Sequence, residues 1–186
     1  MHLPKKGLRA LGIAESYSGR SFSRLAGVVM RKDLRIDGFI FSTVTVGGDD
    51  ATSAILHMVQ ELKRRDINVI MLSGCVIAWF NIINPDEIAF ETGIPVICVT
   101  YEASDGIIAD LRYNFPDDPT RISAYLNLGE RMPVVLDTGE TIFIRSWGMD
   151  QRDAARLCND FTLDGKIPEP LRVARLCARN MPLSLI

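Results

Sequence analysis

The stretch from Leu8 to Ser18 constrains the fold most, because it is an apolar strand that runs directly into a polar turn. Residues 8–13 are predicted to form the strand, and Gly12 allows another backbone to approach closely near its end. The Ser- and Gly-rich turn that follows carries Glu15 and is typical of an exposed loop. Since α/β proteins build sites just past the ends of central strands, Glu15 is the first candidate functional residue.

The overall composition is that of an ordinary globular protein. The chain has 186 residues, of which 47% are hydrophobic and 24% charged, and its net charge is -2. One domain over residues 1–186 is the expectation at this length. The small negative charge excludes a broadly basic nucleic-acid binder but leaves room for a local basic face.

The metal-binding and thiol residues are few. Four cysteines lie at positions 75, 98, 158 and 177 without a C-x-x-C pair, and the two histidines are His2 and His57. Reduced, buried thiols in a cytoplasmic protein are therefore predicted, with no disulfide framework, zinc site or His-rich metal site. No run of about 18 apolar residues occurs, so no membrane-spanning helix is expected.

The order of strand and helix patterns predicts the fold class. Strands are expected over 8–13, 25–30, 34–46, 68–72, 94–99 and 141–146, with the second and third forming a hairpin beside the first. Helices are expected over 50–65, 86–92, 104–113, 121–128, 150–161 and 171–180, and residues 167–170 are read as extended. This order predicts an α/β fold, a mixed sheet of five or more strands with helices on both faces.

Four segments carry a resemblance to a known family. They are Leu11-Gly12-Ile13, Val46-Gly47-Gly48-Asp49-Asp50-Ala51-Thr52, Val69-Ile70-Met71-Leu72-Ser73-Gly74 and Gly165-Lys166-Ile167-Pro168-Glu169-Pro170-Leu171-Arg172-Val173-Ala174. Over residues 5–180 the chain resembles the archaeal family of unknown function numbered 99, a distant relative of endonuclease V. The resemblance implies a ribonuclease H-like fold, a cytoplasmic location and no established substrate.

The resemblance also implies a metal site that this chain changes. Endonuclease V cuts nucleic acid near deaminated purines with a divalent ion, which carboxylates hold at the ends of the first and fourth strands and near the long helix. Where the family has Gly-Ile-Asp-Asp, this chain has Gly12-Ile13-Ala14-Glu15, and Leu-Asp-Gly is replaced by Leu72-Ser73-Gly74. Gly148-Met149 falls where endonuclease V has a histidine. Ala14 and Ser73 cannot do a carboxylate's work.

The acids that survive near those positions each have two readings. Because strand side chains alternate, Glu15 should not take the place of Ala14, and it is either a metal ligand or an exposed acid at a strand end. Asp49 and Asp50 are either a remnant of the site or helix caps that accept hydrogen bonds from first-turn amides. Ser73 fits a ligand pocket or a tight strand exit equally well.

Basic and aromatic residues supply further candidates. Arg172, Arg175 and Arg179 share one face of the last predicted helix and suit phosphate contacts, although a solvated helix face looks the same. Arg20 and Arg24 would add to a basic rim if they lie close. Trp79-Phe80 either stacks on a base at a site mouth or packs under the next helix.

Two functions follow from these residues. The favoured one is a family member that has lost its metal centre and binds nucleic acid or a nucleotide through Ser73 and the three arginines. The alternative is a metal-dependent endonuclease acting on deaminated or structured nucleic acid. Glu15, Asp49 and Asp50 would be its catalytic residues, and Glu15 and Asp50 would hold Mg²⁺ or Mn²⁺.

Overall fold

The computed structural model describes residues 7–17 and 21–181. The strands are β1 (Arg9–Ser16), β2 (Phe22–Arg31), β3 (Ile36–Thr45), β4 (Val69–Ser73), β5 (Val76–Ile77), β6 (Asn81–Ile82), β7 (Val96–Thr100), β8 (Met132–Val135) and β9 (Thr141–Trp147). The helices are α1 (Ala51–Glu61), α2 (Pro85–Thr92), α3 (Ile108–Asn114), α4 (Pro119–Asn127), α5 (Gln151–Asp160) and α6 (Glu169–Asn180). None of the described helices is long and apolar enough to cross a membrane.

Seven strands form one mixed sheet in the order β3-β2-β1-β4-β7-β9-β8. The three central strands β1, β4 and β7 are parallel, while β2, β3, β8 and β9 pair antiparallel to their neighbours. The predicted hairpin of β2 and β3 beside β1 is confirmed. The mixed sheet predicted from the sequence is thus present, with its parallel strands in the middle and antiparallel strands at both edges.

Helices cover both faces of this sheet and create two cores. On one face, which we call the α6 face, buried residues of α5 and α6 pack on alternate residues of the strands, such as Ala14, Met71 and Val99. On the other face, the α1 face, α1 and α2 pack on the intervening residues, such as Ile13, Leu72 and Cys98. Adjacent residues of each central strand therefore belong to different cores.

Some predicted elements need correction. The short strands β5, β6 and β8 were not predicted, because two-residue strands and a strand containing Pro133 give no alternating pattern. Residues 167–170 were expected to be extended, but α6 already begins at Glu169. The reason is that Pro170 lies in the first turn of the helix, where its missing N–H has no partner to lose.

The contact between Gly12 and α6 sets how closely that helix lies on β1. A Cβ placed on Gly12 would sit 2.5 Å from the backbone carbonyl carbon of Pro170. Ala10 and Ala14, which flank Gly12 on the same face, are also small and fully or almost fully buried. This row of small residues lets the N-terminal end of α6 rest directly on the strand.

We expect Gly12→Ala to destabilise the fold by about 1–3 kcal/mol, because the backbone of Pro170 would have to move. Chemical or thermal unfolding measures the loss. Gly7→Ala is the matched control, since a Cβ there has no atom within 4 Å, and it should change the free energy of unfolding by less than about 0.5 kcal/mol. Equal stability of the two variants would show that α6 does not pack this tightly.

Candidate functional site

The parallel strands β1, β4 and β7 end at one edge of the sheet, which we call the carboxyl edge. Residue pairing of Ile13 with Leu72 and of Leu72 with Cys98 aligns the three strands there. Glu15, Ser73 and Tyr101 consequently come together at this edge from distant parts of the chain. In open α/β sheets this is the edge at which ligands bind.

The end of β1 presents two neighbouring residues to opposite faces. Ala14 is buried on the α6 face. Glu15 points to the α1 face and accepts a hydrogen bond from the buried hydroxyl of Ser23, on the adjacent strand. Glu15 therefore does not occupy the place of Ala14, and no bulge re-aims it, since the pairing of β1 with β2 is continuous.

Asp50 is held in a network of hydrogen bonds. Its carboxylate accepts bonds from the backbone N–H of Thr45 (3.0 Å), the Thr45 hydroxyl (2.7 Å) and the side-chain amide of Asn81 (2.6 Å). Burial raises the pKa of Asp50, but these bonds outweigh it and keep the pKa below its usual value. Asp50 thus fastens β3 to β6, and Asp49 beside it is exposed.

The predicted capping by Asp50 needs correction. Asp50 is the N-cap residue of α1 by position, but its side chain accepts no bond from the first-turn amides. The buried side chain of Asn81 instead accepts the N–H of Ala51 at 3.1 Å. The carboxylate is occupied by Thr45 and Asn81, so the capping oxygen comes from another strand.

The residues at the carboxyl edge do not fit the carboxylate site that the resemblance implies. Ala14 and Ser73 offer a methyl and a hydroxyl on one face, while Glu15 lies on the other. Within residues 7–17 and 21–181, no three His, Cys, Asp or Glu side chains lie close enough to hold a metal ion.

Ser73 is joined to the last helix through Arg175. The guanidinium of Arg175 donates to the Ser73 hydroxyl at 3.0 Å and lies 5.4 Å from the ring centre of Tyr101. The Tyr101 hydroxyl is buried beside Ser73, without a partner in good hydrogen-bond geometry. Burial raises the pKa of Tyr101, so its hydroxyl stays protonated and able to donate.

The three arginines predicted to form one stripe have different surroundings. Arg172 makes two bonds, of 2.8 and 2.7 Å, to the carboxylate of Glu169. Arg179 is exposed at the end of α6, whereas Arg175 is half-buried against Ser73. Arg24 lies on β2, with a buried Nε that makes no hydrogen bond, and Arg20 lies outside the described residues.

A cavity of about 410 Å³ opens at the carboxyl edge on the α1 face. Glu15 and Tyr17 form one wall, and the segment after β4, from Gly74 to Phe80, forms another. Arg131, just before β8, and Arg145 of β9 complete it. A larger cavity of about 660 Å³ lies between α2 and α4, but it has no arginine or lysine in its lining.

The two arginines give the first cavity a positive wall. Arg131 donates to the carbonyl oxygens of Glu102 (3.0 Å) and Ser104 (2.7 Å), and Arg145 donates to that of Gly129 (2.9 Å). Because their partners are neutral carbonyls, neither charge is cancelled by a carboxylate. Each guanidinium has five N–H groups, so donors remain for a ligand.

A strained turn presents an aromatic ring at the mouth of this cavity. Ala78, Trp79 and Phe80 have φ values of 43°, 56° and 68°, three successive left-handed residues without a glycine. Such a conformation costs roughly 1–2 kcal/mol for each residue. The turn leaves Trp79 53% exposed, although its ring also contacts Phe80 and Phe115. Trp79 is thus held out at the cavity instead of being buried under α2.

Arg121 of α4 holds this turn in place. Its guanidinium donates to the carbonyl oxygens of Phe80 (2.6 Å), Gly48 (2.9 Å) and Gly47 (3.2 Å). It also pairs with Asp118 and stacks 4.2 Å from the ring centre of Phe115. The N–H and guanidinium of Arg121 lower the pKa of Asp118. One side chain therefore ties α4 to the turn and to the loop before α1.

The thiol of Cys75 lines the cavity but is not a nucleophile. It is almost fully buried, and burial together with the neighbouring Cys98 raises its pKa well above the usual value. A thiol in that state is neutral and unreactive. Cys158 is buried as well, while Cys177 is half-buried.

Sequence reasoning missed Arg121, Arg131 and Arg145. All three come from residues 116–147, where Pro, Asp and Gly obscure the helical and strand periods. The only available signal was Arg145 within the alternating pattern of β9, where Ile142 and Ile144 face the opposite core. A charged residue on a strand face that is covered by helices indicates a polar site.

Comparison with known proteins agrees with this architecture. The chain is 40% identical over 176 residues to a UPF0215 protein of Pyrobaculum calidifontis, covering 92% of this chain and 95% of that protein. It is 33% identical over 156 residues to the UPF0215 protein TK2033 of Thermococcus kodakarensis, covering 83% and 78%. These relatives span nearly the same length as the chain.

Solved structures share the fold. A protein of unknown function from Archaeoglobus fulgidus superimposes with a TM-score of 0.83 and 27% identity over 95% of this chain and 99% of that chain. Human ENDOV superimposes with a TM-score of 0.63 and 16% identity, over 92% of this chain and 83% of that chain. Ciona intestinalis endonuclease V, in complex with DNA containing an inosine, superimposes with a TM-score of 0.64 and 15% identity. The match covers 97% of this chain and 88% of that chain. The fold is thus the ribonuclease H-like fold of endonuclease V.

The family model of endonuclease dU matches residues 6–181, which include every described element. The relatives in Pyrobaculum and Thermococcus match over most of the same range. The chain therefore belongs to the endonuclease dU family.

Proposed function

We propose that this protein binds nucleic acid and accepts a base turned out of its strand into the 410 Å³ cavity at the carboxyl edge. The observation that carries the proposal is Trp79, an exposed ring held at the cavity mouth by a strained turn. Backbone strain that the surrounding structure enforces is typical of ligand clamps. Aromatic rings that stack on bases contribute about 1–3 kcal/mol for each base.

The chemistry of the cavity wall favours a deaminated base. Arginine only donates hydrogen bonds, and Arg131 and Arg145 supply spare donors there. Uracil and hypoxanthine present carbonyl acceptors where cytosine and adenine present amino donors, so the wall suits the deaminated member of each pair. The name of the endonuclease dU family makes deoxyuridine the base to test first. The cavity volume lies within the range of about 300–1,000 Å³ found for small-ligand sites.

A second candidate function is cleavage of the bound strand. Two observations favour it, the family name and the carboxylate of Glu15 in the cavity wall. The test is to incubate an end-labelled single strand containing one uracil with the protein and Mn²⁺. Cleavage by wild type that Glu15→Gln abolishes would establish an endonuclease, while an intact strand leaves binding as the activity.

We expect the protein to bind a single strand containing one uracil more tightly than the same strand with cytosine at that position. The donor-rich wall pairs with the uracil carbonyls but leaves the cytosine amino group opposed to other donors. Fluorescence anisotropy of end-labelled strands, in EDTA so that no cleavage intervenes, measures both affinities. Equal affinities would contradict recognition of the deaminated base.

Trp79→Ala should weaken binding of the uracil strand by about 1–3 kcal/mol, because the stacking surface is lost. The matched control is Phe90→Ala on α2, whose ring is 84% exposed and lies outside the cavity lining. That variant should bind as wild type does. Should both variants bind equally well, Trp79 is not the stacking residue.

Arg121→Lys should lower the free energy of unfolding by about 2–4 kcal/mol, because a point donor cannot serve three carbonyls and leaves partly buried ones unpaired. It should also weaken uracil-strand binding as Trp79→Ala does, since the turn no longer holds the ring. Unfolding and anisotropy measure the two effects. Arg112→Lys on the exposed side of α3 is the control, and parity between the two variants would show that Arg121 does not fix the turn.

A further inference from the structure

We infer that the carboxyl edge carries a metal-free phosphate site on the α6 face, in which Arg175 lies beside Ala14 and Ser73, the positions where the family resemblance implies carboxylates. The proposed ligand is a phosphate of the strand whose base enters the cavity. In that assignment the inference rests on the proposed function. The anion site itself stands on the geometry described next.

The first observation is the placement of Arg175. It reaches down from α6 to donate to Ser73, and Ser73 follows Leu72, which pairs with Ile13 of β1. The guanidinium thus lies beside the two positions, 14 and 73, that carry no carboxylate. A cation fixed there repels a divalent ion and attracts an anion, so the charge of this edge is opposite to what a metal site requires.

The second observation is that two arginines and one phenol at this edge have no acidic partner in the described part of the chain. Among the described residues, Arg175 and Arg24 form no ion pair, and the Nε of Arg24 is buried without any hydrogen bond. The Tyr101 hydroxyl is likewise buried, and although Ser73 lies beside it, no acceptor stands in hydrogen-bond geometry to it. Buried donors without acceptors are rare in native proteins and call for a ligand that supplies the acceptors.

The third observation is that the topology puts these groups on one face and at one edge. Arg24 pairs with Ser16 across β1 and β2, two residues beyond the pair of Ala14 with Ala26. Alternation places Arg24 on the same side of the sheet as Ala14, Ser73 and Tyr101. A phosphate between α6 and the strand ends would meet guanidinium groups from two elements and the phenol of a third.

Position 14 supplies no competing negative charge, because the methyl group of Ala14 is buried in the core under α6. A guanidinium group can bind two phosphate oxygens through two parallel hydrogen bonds. No divalent ion is needed between the arginine and the phosphate. A strand crossing this edge would place a phosphate on the α6 face and a base in the cavity on the α1 face.

The first test uses pyrophosphate as the probe, in EDTA and without nucleic acid. We expect nitrogen–proton NMR to show the side-chain Nε–H signals of Arg24 and Arg175 shifting as pyrophosphate is added, identified by their loss in Arg24→Gln and Arg175→Gln. Each substitution should weaken pyrophosphate binding about tenfold, while Arg152→Gln on the exposed side of α5 leaves it unchanged. Signals that do not move, or equal affinity in all variants, would overturn the site.

The second test identifies the phosphate as that of the strand. The uracil strand is compared with a copy in which uncharged methylphosphonates replace the phosphates flanking the uracil. Wild type should lose about tenfold in affinity for the copy, whereas Arg175→Gln binds both strands with the same weakened affinity, and its salt slope falls by about 1. If Arg175→Gln also loses about tenfold in affinity when the phosphates are replaced, those phosphates are bound by other residues.

The two proposals fail separately. If pyrophosphate binds at Arg24 and Arg175 but uracil gives no advantage over cytosine, the anion site stands and the proposed base recognition falls. If uracil is preferred but pyrophosphate leaves both arginine signals in place, the cavity stands and the phosphate site falls.

Discussion

The two-residue period of strand β1 is the constraint on which the rest of this structure depends. β1 is paired on both sides, with β2 from Arg9 to Ser16 and with β4 from Ala10 to Ile13. A strand held in this way cannot shift its register without moving its whole apolar set to the wrong core. Ala14 must therefore face α6 if Glu15 faces the cavity, and the two sides of the sheet acquire different chemistry.

The chemistry of each face then depends on which side chains the alternation of β1 places on it. On the α6 face, Ala10, Gly12 and Ala14 are small enough for Pro170 to touch the strand. The close approach of α6 is what brings Arg175 within reach of Ser73. On the α1 face, Glu15 is bonded to Ser23 and lines a cavity whose other charged residues are arginines. Arginine side chains thus lie at the carboxyl edge on both faces of the sheet.

The sequence predicted those features that depend on periodicity. The mixed sheet and the hairpin beside β1 follow from the alternation of strand residues and the spacing of helix residues. The opposite orientation of Ala14 and Glu15 follows from the same alternation. The endonuclease V-like fold came instead from four short motifs. These motifs lie at or near the ends of β1, β3 and β4 and at the start of α6.

What the sequence did not reveal depends on contacts between distant segments. The left-handed turn at Ala78 to Phe80 contains no glycine, and it is stable only because Arg121, some forty positions away, bonds its carbonyl group. The Asp50 carboxylate was expected to cap α1, but Thr45 and Asn81 occupy it. The arginines of α6 were expected to act together, yet Glu169 holds Arg172 while Arg175 turns inward.

We propose that this fold recognises a base and a phosphate with arginines and an aromatic ring, without an ion between residues 14 and 73. The decisive measurement is a crystal structure of the protein with a uracil-containing single strand, grown in the presence of Mn²⁺. We expect a uracil ring against Trp79 in the cavity and a phosphate oxygen at Arg175. A manganese ion bound between Ala14 and Ser73, with the uracil elsewhere, would contradict it.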